Sequence, residues 1–373
     1  MSLAARSSTQ QQPSAAQPSN EQLGSLATTA NAFCAAHGIQ VERINKENGS
    51  SYYQSAPISL LPNAYPAPAF AKAQTLATPL NLLVDRISRD ANFLQTTLGG
   101  SVAEADPFTA KLLELYQSIY VNDATASKSA ESADRLGIHR SDYMLHQSQQ
   151  SDDDDSYGIQ QVELNTIAAS FGGLSCQVAQ LHSYLLQLQM MQQPPPVDGW
   201  MHRWFESQRD RVGGTAETTT GVPTNPALDR LPAAMQVVLR RYTERFLPGD
   251  KNSVVILFVV QDGEANTVDQ RLLEFRLFAQ YQIPVVRLSL REIHGHVKVS
   301  NEGALLLEDG RQIAVVCFRA GYAPTDYNDP ESDGAVQWTA RERLERWRAT
   351  KCPSLGYHPA TIGSAGCGRE ILR

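Results

Sequence analysis

A chain of 373 residues that is 42% hydrophobic and 19% charged can bury enough apolar surface for two packed units. Its formal net charge of −7 argues against non-specific nucleic-acid binding, which needs a basic surface to neutralise phosphates, and points to small-molecule partners. No apolar run reaches membrane-spanning length, and Met1–Asn20 is rich in Ser, Gln, Ala and Pro without an apolar centre, so a disordered tail (1–20) on a cytoplasmic protein is expected.

Leu80, Leu83, Val84, Ile87, Ala91, Leu94 and Leu98 follow helical spacing up to Gly99-Gly100, a C-terminal cap signal. Asp106-Pro107 then supplies an N-cap and a first-turn proline for a second helix, with Phe108, Leu112, Leu113, Tyr116, Ile119 and Tyr120 on its apolar face. Both helices are expected to cover a sheet. Arg140–Met144 and Ile159–Thr166 read as two strands joined through Ser151–Ser156. The run Asp152–Asp155 lacks the spaced oxygen ligands and glycine of a calcium loop, so a solvated turn is the expectation. Leu174, Val178, Leu181, Leu185 and Leu188 mark a helix that Pro194-Pro195-Pro196 ends, and a Gly/Thr/Pro-rich stretch, Gly213–Pro226, reads as part of a connection.

A second unit opens with Val254–Val260, a continuous apolar run suited to a strand buried on both faces. Val268, Leu272, Phe275 and Ala279 set a helical face, Ile283–Leu288 a further strand, and the three form a β-α-β unit of parallel strands. Leu305–Leu307 and Ile313–Phe318 are strands turned through Asp309-Gly310. His294-Gly-His296 reads as a surface strand with no third zinc ligand nearby. Trp338–Arg348 is an amphipathic helix with Leu344 and Trp347 on one side, and the glycine-rich Gly363–Gly368 reads as unstructured terminus. The five cysteines, Cys34, Cys176, Cys317, Cys352 and Cys367, are odd in number and widely spaced, which suits free buried thiols.

Chemistry-bearing residues gather where strands hand over to turns, the usual ligand position in α/β proteins. On the extended Val162–Thr166 the Glu163 carboxylate and Asn165 amide project from one face, where they suit either a solvated surface or a hard cation such as magnesium. Ser170 precedes Phe171-Gly172-Gly173 and a helix whose unpaired amides make an anion seat. Gln261–Asn266 and Arg319-Ala320-Gly321-Tyr322 both leave strand ends. Arg319 fits a bidentate carboxylate clamp, as for an α-amino acid, or an ordinary salt bridge. Asn266 and Gln270 are ligand candidates, whereas Asp269 fits a partner for the dipole of its own helix. There is no Gly-x-x-x-x-Gly-Lys-Ser/Thr phosphate loop and no Gly-x-Ser-x-Gly nucleophile elbow.

Taken in register, these segments carry a family resemblance. Val162-Glu-Leu-Asn-Thr-Ile-Ala-Ala-Ser-Phe-Gly-Gly-Leu174 resembles the Glu-x-Asn-Thr-x-x-x-Ser-Phe-Gly-Gly signature of eukaryotic glutathione synthetases. Asn81–Asp85, Phe108–Leu112, Arg140-Ser-Asp-Tyr-Met144, Asn266-x-x-Asp-Gln-Arg271, Phe318-Arg-x-Gly-Tyr322 and Thr350-Lys-Cys-Pro353 follow in the family's order, over about Gly24–Ser354. The resemblance implies ATP-dependent ligation of γ-glutamylcysteine to glycine through an acyl phosphate, with Mg2+, in a protein that is a homodimer at full length. It implies an α/β fold: an incomplete ATP-grasp-related main domain (21–250, with a flexible connection near 194–248) and an inserted parallel-sheet substrate-binding domain (251–354). Glu163 and Asn165 resemble the magnesium ligands, Glu163 also lying near ATP, and Arg140, Ser170, Glu264, Asn266, Gln270, Arg319 and Tyr322 resemble the substrate-binding set. Ala168 stands where a serine is common, and Ala320 where an aspartate is usual. Beyond Ser354 the family pattern stops, so 355–373 is expected to be a divergent tail arising from a changed reading frame or retained intervening sequence. Much of the ATP-grasp half is then lacking, and the isolated chain is expected to be catalytically deficient. The alternative is a non-catalytic fragment that binds γ-glutamylcysteine or a partner subunit.

Overall fold

The computed structural model describes residues 19–123, 134–147, 157–191, 220–247, 253–261, 263–264, 266–327 and 334–358. Helix α1 (Asn20–His37) starts on a capping box, with Ser19 Oγ accepting from Gln22 N at 3.2 Å and Gln22 Oε1 accepting from Ser19 N at 2.9 Å, and it stops at Gly38 with φ 71°. Ser19 and Asn20 therefore belong to a capped helix rather than to the expected tail, the rest of which lies outside the described residues. The hairpin β1 (Gln40–Ile44) and β2 (Ser51–Ser55) follows.

The periodic stretch read as one helix up to Gly99 is in fact two. Helix α2 (Ala67–Arg89) ends at Asp90, whose side chain turns to accept Phe93 N at 2.9 Å and starts α3 (Ala91–Leu98). An aspartate competes for nearby amides in this way, and the break keeps both apolar faces on one core. After the short α4 (Ser101–Ala105), Asp106 caps α5 (Pro107–Tyr116) as expected, accepting Phe108 N at 3.1 Å. A π turn, Gln117–Asn122, continues it.

Strands β3 (Arg140–Gln147) and β4 (Tyr157–Asn165) pair antiparallel, with a bulge between Asp142 and Tyr143. The Asp-rich Ser151–Ser156 between them lies outside the described residues. Val84, Leu94, Leu98, Leu112, Leu113 and Ile119 of the helices pack on Leu164 of β4 and on Leu355 and Tyr357. Leu355–His358, placed by the sequence in a divergent tail, are thus buried core residues. Residues 359–373, with the glycine-rich terminus, lie outside the description. Helix α6 (Leu174–Met190) packs on α1 through Leu181, Leu185, Leu26 and Cys34.

Helix α7 (Ala227–Phe246) occupies part of the region expected to be a flexible connection. It instead covers a sheet, because Met235, Val238, Leu239 and Tyr242 form one apolar stripe. That sheet contains β5 (Val254–Val259), buried at all six positions, and β6 (Val285–Leu288), joined through α8 (Thr267–Tyr281). After α9 (Leu290–His296) come β7 (Lys298–Val299), β8 (Leu305–Leu306) and β9 (Gln312–Phe318). A 3-10 turn, Pro324–Tyr327, leads to α10 (Ala335–Arg346) and β10 (Thr350–Cys352).

The strand order is β6-β5-β9-β8-β7, with β10 also on β9. Pairs β5/β6, β5/β9 and β9/β10 are parallel, and β7, β8 and β9 meet antiparallel through the expected Asp309-Gly310 turn, Gly310 taking φ 84°. One face packs on α7 and α8, the other on α9 and α10. Each fully buried aliphatic side chain in such a core contributes about 1.5–3 kcal/mol, which makes this sheet the rigid frame of the molecule.

Two further expectations are corrected. Helix α8 buries Asp269, Gln270, Leu273 and Leu277, while Phe275, assigned to the inner face, is 62% exposed. The inner face carries polar residues because it meets the α6 loop as well as the sheet. His294 and His296 lie in a helix and not a strand, since Ser289 and Glu292 form a capping box that starts α9. Among the described residues no group of three His, Cys, Asp or Glu side chains is placed to hold a metal. The four described cysteines are buried free thiols, as expected.

Burial pushes the imidazole of His139 down to about 4 and that of His358 to about 3, the positive charge of Arg341 adding to the effect at His358. Above an unfolded value of about 6.5 neither state binds these protons. Between about pH 6.5 and 4 the unfolded chain takes them up and the folded chain refuses them, so stability falls with pH, by about 2–5 kcal/mol in all. Urea unfolding should show this loss between pH 7.5 and 5, and His139→Gln with His358→Gln should flatten the profile. An equally steep profile in the double variant would assign the loss to other groups.

Candidate functional site

Strands β5 and β9 lie side by side and stop at the same level, Val259 opposite Phe318, and Arg319 N donates to Val259 O at 2.8 Å. The segments that follow both strands consequently emerge together at one carboxyl edge of the sheet. Arg319 is only 7% exposed, and its Nη1 donates to Ala169 O at 2.6 Å, while Nε is buried without a hydrogen-bond partner. The ordinary salt bridge, one of the two alternatives read from sequence, is not formed here. Among the described residues Arg319 makes no ion pair, and a backbone carbonyl from the Ser170 loop occupies one donor of the fork that a carboxylate would need.

The turn after Arg319 is held from below. Gly321 N, Tyr322 N and Ala323 N donate to Asp326 Oδ2 at 2.8, 3.0 and 3.1 Å, and Tyr327 OH donates to Gly321 O at 3.1 Å. Gly321 takes φ 90°, and a Cβ there would lie 3.2 Å from Tyr327 Oη and 3.3 Å from Arg341 Nη1, so the position favours glycine on both counts. The Tyr322 side chain stays partly exposed. Its phenol is raised by burial and by the negative charges of Asp326 and Glu264, and lowered by Arg319, which places all three around it.

At the end of β5, Glu264 Oε1 accepts Asn266 N at 2.7 Å and Oε2 accepts Gln270 Nε2 at 3.0 Å. Gln270 Oε1 in turn accepts Arg287 Nη2 at 2.8 Å. With 1% exposure, Gln270 is an interior link rather than an open ligand group. Arg287, on the neighbouring β6, escaped the sequence reading. Its partners lie 17 residues away in sequence and only the parallel pairing brings them near.

The β3/β4 hairpin carries a second group. Glu163 and Asn165 share a face as expected, Asn165 Nδ2 donating to Glu163 Oε1 at 2.9 Å, with Leu164 buried on the other side. Arg140 lies across from Asn165 and grips Asp142 with Nε and Nη2 at 2.8 and 2.9 Å, its Nη2 also 3.5 Å from Glu163 Oε1. The hydrogen bonds from Arg140 hold the Asp142 carboxyl below its usual range. Asp142, opposite Glu163 in register, was not singled out in the sequence because the bulge beside it breaks the alternation. Two carboxylates and an amide oxygen are the donor chemistry of a hard cation, and Mg2+ ordinarily takes only one or two protein carboxylates together with phosphate oxygens. The donors present therefore fit.

The Ser170 loop joins the two groups. Its amides were read as an anion seat, but Asp269 already fills it, accepting Phe171 N and Gly173 N at 2.8 Å and Leu174 N at 2.9 Å. Asp269 is in the first turn of α8 as expected, yet the helix end it faces is that of α6. Ala168 and Phe171 take φ 51° and 68°, uncommon for residues with side chains. A small cavity beneath the loop is lined by Ala168, Ala169, Gly172, Cys317, Arg319 and Cys352. Bonds thus tie Ser170's loop to Arg319 and to Asp269, and Asp269 shares the start of α8 with Asn266 and Gln270, both bonded to Glu264, while Arg140, Glu163 and Asn165 form their own cluster on the hairpin.

The chain is similar to known proteins. The family model described as eukaryotic glutathione synthase, ATP binding domain, matches residues 20–273, and that described as eukaryotic glutathione synthase matches residues 254–360. The chloroplastic glutathione synthetase of Solanum lycopersicum is 35% identical over 93% of this chain and 55% of its own length. The glutathione synthetase large chain of Schizosaccharomyces pombe is 31% identical over 91% of this chain and 64% of its own. The Homo sapiens glutathione synthetase is 29% identical over 95% and 64%. The chain thus spans between about half and two thirds of the length of these relatives. A solved structure, a glutathione synthetase like-effector from Globodera pallida in apoform, superposes with a TM-score of 0.64 at 17% identity, covering 92% of this chain and 64% of that one. No described helix is long and apolar enough to cross a membrane.

Removing the Asp326 carboxylate strands three amides at the Tyr322 turn. Asp326→Ala should lower stability by about 1–3 kcal/mol and speed amide exchange at Gly321, Tyr322 and Ala323, measured by NMR. Unchanged protection at these amides would mean that the turn holds itself.

Proposed function

This chain belongs to the eukaryotic glutathione synthase family, and from that premise we propose that it binds γ-glutamylcysteine at the β5/β9 edge for ATP-dependent ligation to glycine through an acyl phosphate. The observation that carries the reading is the 2.6 Å bond from Arg319 Nη1 to Ala169 O, which brings the Glu-x-Asn-Thr signature loop against the Phe-Arg-x-Gly-Tyr strand end. In this reading Arg319 and Tyr322 meet a substrate carboxylate and its neighbouring polar groups, Arg319 through the donors that Ala169 O leaves free. Ser170 and Asn266 present polar groups from the facing loops, and Glu264 provides the negative charge that a γ-glutamyl ammonium needs. Gln270 keeps Glu264 in place, and Arg140 adds positive charge on the hairpin.

Glu163 and Asn165 would hold Mg2+ beside ATP. Held there, the cation would supply charge neutralisation to the transferring phosphoryl group, and the glycine amine would displace phosphate from the activated carboxyl. The exposure of Glu163 and the carboxylate and amide oxygens gathered on this face of the hairpin support the assignment. The reading includes an ATP-grasp-related main domain (21–250), the parallel-sheet unit (251–354) as substrate-binding domain, and a cytoplasmic homodimer, each implied by the family resemblance. Turnover depends on nucleotide-binding parts that the resemblance assigns beyond the matched segment, so peptide binding is the activity to test first.

Calorimetry on the 373-residue chain should detect γ-glutamylcysteine binding, and Arg319→Ala should weaken it by about 2 kcal/mol or more, since a substrate carboxylate loses its charged partner. No binding by the unsubstituted chain overturns the reading. Glu163 is more than half exposed, so Glu163→Ala should leave the thermal midpoint nearly unchanged. In a chain extended with the remaining portion of a relative, the same substitution should cut glutathione formation by about a hundredfold or more; normal turnover there would remove Glu163 from the metal site.

A further inference from the structure

We propose that Asp269 is a positioning residue that locks the Ser170 loop onto α8 and so sets the gap between Ser170 and the Glu264–Gln270 segment across which γ-glutamylcysteine binds. The inference rests on the substrate reading above. Asp269 has 0% exposure, and its carboxylate collects three amides that lie 95 to 98 residues earlier in the chain: Gly173 N and Leu174 N on Oδ1, and Phe171 N on Oδ2. Among the described residues it makes no ion pair. Its charge is met by backbone donors and the positive end of α6, which is a site for an acidic group supplied by the protein itself.

The placement constrains Ser170 from both sides. Ala169 O on one side is held by Arg319, and Phe171 N on the other by Asp269. Phe171 takes φ 68°, a conformation that costs of order 1 kcal/mol or more for a residue with a side chain and persists only when its surroundings fix it. The loop also lies directly on α8, for a Cβ at Gly173 would come within 2.9 Å of Leu272 Cβ and 3.2 Å of Asp269 O. Because Asn266 caps the same helix and Gln270 follows Asp269, the carboxylate that holds the loop is rigidly joined to two residues of the facing segment. A short lever of this kind carries a loop shift straight into the substrate gap.

The test compares the 373-residue chain with Asp269→Asn, Asp269→Ala and a control, Leu98→Ala, which opens a cavity in the core between the N-terminal helices. Calorimetry reports γ-glutamylcysteine affinity, and amide exchange reports Phe171, Gly173 and Leu174. Asp269→Ala should bind about tenfold or more weakly with faster exchange at all three amides, and Asp269→Asn, which keeps one carbonyl oxygen, should bind about three- to tenfold more weakly. Leu98→Ala should lose stability and keep its affinity, separating position from stability. If Asp269→Ala does not fold, Asp269→Asn decides. Wild-type affinity in a folded Asp269 variant overturns this inference alone, whereas failure of the unsubstituted chain to bind the peptide overturns the substrate reading and this inference together.

Discussion

The register between β5 and β9 is the constraint from which the site follows. Val254 to Val259 pair with Gln312 to Phe318 in parallel, with one irregularity absorbed between Val255 and Ile256, so both strands end at the same height. Side chains alternate across a strand, and a slip of one residue would exchange the two faces. Here that would put Phe258 and Cys317 among the partners of α9 and α10, and would turn Arg319 away from Ala169. Both faces are filled by helices, so the slip is opposed by every buried contact of the sheet. The position of a single guanidinium is thereby set by a whole core rather than by its own hydrogen bonds.

Charge buried beneath the site has to be matched, and α10 provides much of it. Arg341 and Glu345 are both fully buried, 3.9 Å apart, with the Arg341 guanidinium 3.7 Å from the centre of the Phe318 ring. Glu345 Oε1 also accepts Leu355 N at 2.6 Å, tying the sheet to the turn that packs among α2 and α5. Removing one member of such a pair leaves an uncompensated charge, which generally costs about 3–5 kcal/mol. The pair lies directly behind Phe318 and Gly321, so the floor of the Arg319–Tyr322 turn is as fixed as its strand.

What could be read from sequence was what depends on neighbours in sequence. The continuous Val254–Val260 run, the Asp309-Gly310 turn, the Asp106-Pro107 cap and the shared face of Glu163 and Asn165 are all local patterns, and each corresponds to an observed element. The misreadings involve distant partners. Asp269 looked like a cap for its own helix because nothing within α8 reveals that α6 needs an acceptor. Phe275 fitted the apolar spacing of α8, but the face that meets the Ser170 loop requires Asp269 and Gln270 inside, which turns Phe275 outward. An ordinary salt bridge at Arg319 looked as plausible as a ligand contact, since the carbonyl that engages it comes from 150 residues away. Helix α7 fell within the expected connection because its stripe of Met235, Val238, Leu239 and Tyr242 has meaning only against the sheet it covers.

The loop from Thr166 to Leu174 shows how these levels join. It carries two unfavourable backbone conformations, at Ala168 and Phe171, and has no regular structure to hold them. Besides the bonds that lead into α6, its restraints come from elsewhere: Thr166 Oγ1 donates to Tyr357 O at 2.9 Å, Arg319 reaches Ala169, and Asp269 collects Phe171, Gly173 and Leu174. Each restraint originates in a different element, namely the buried turn at Tyr357, the end of β9 and the first turn of α8. A conformation of this kind persists because several surrounding elements fix it together. The loop that bears the family's most specific sequence signature is therefore also the part of the fold whose shape is determined least by its own residues.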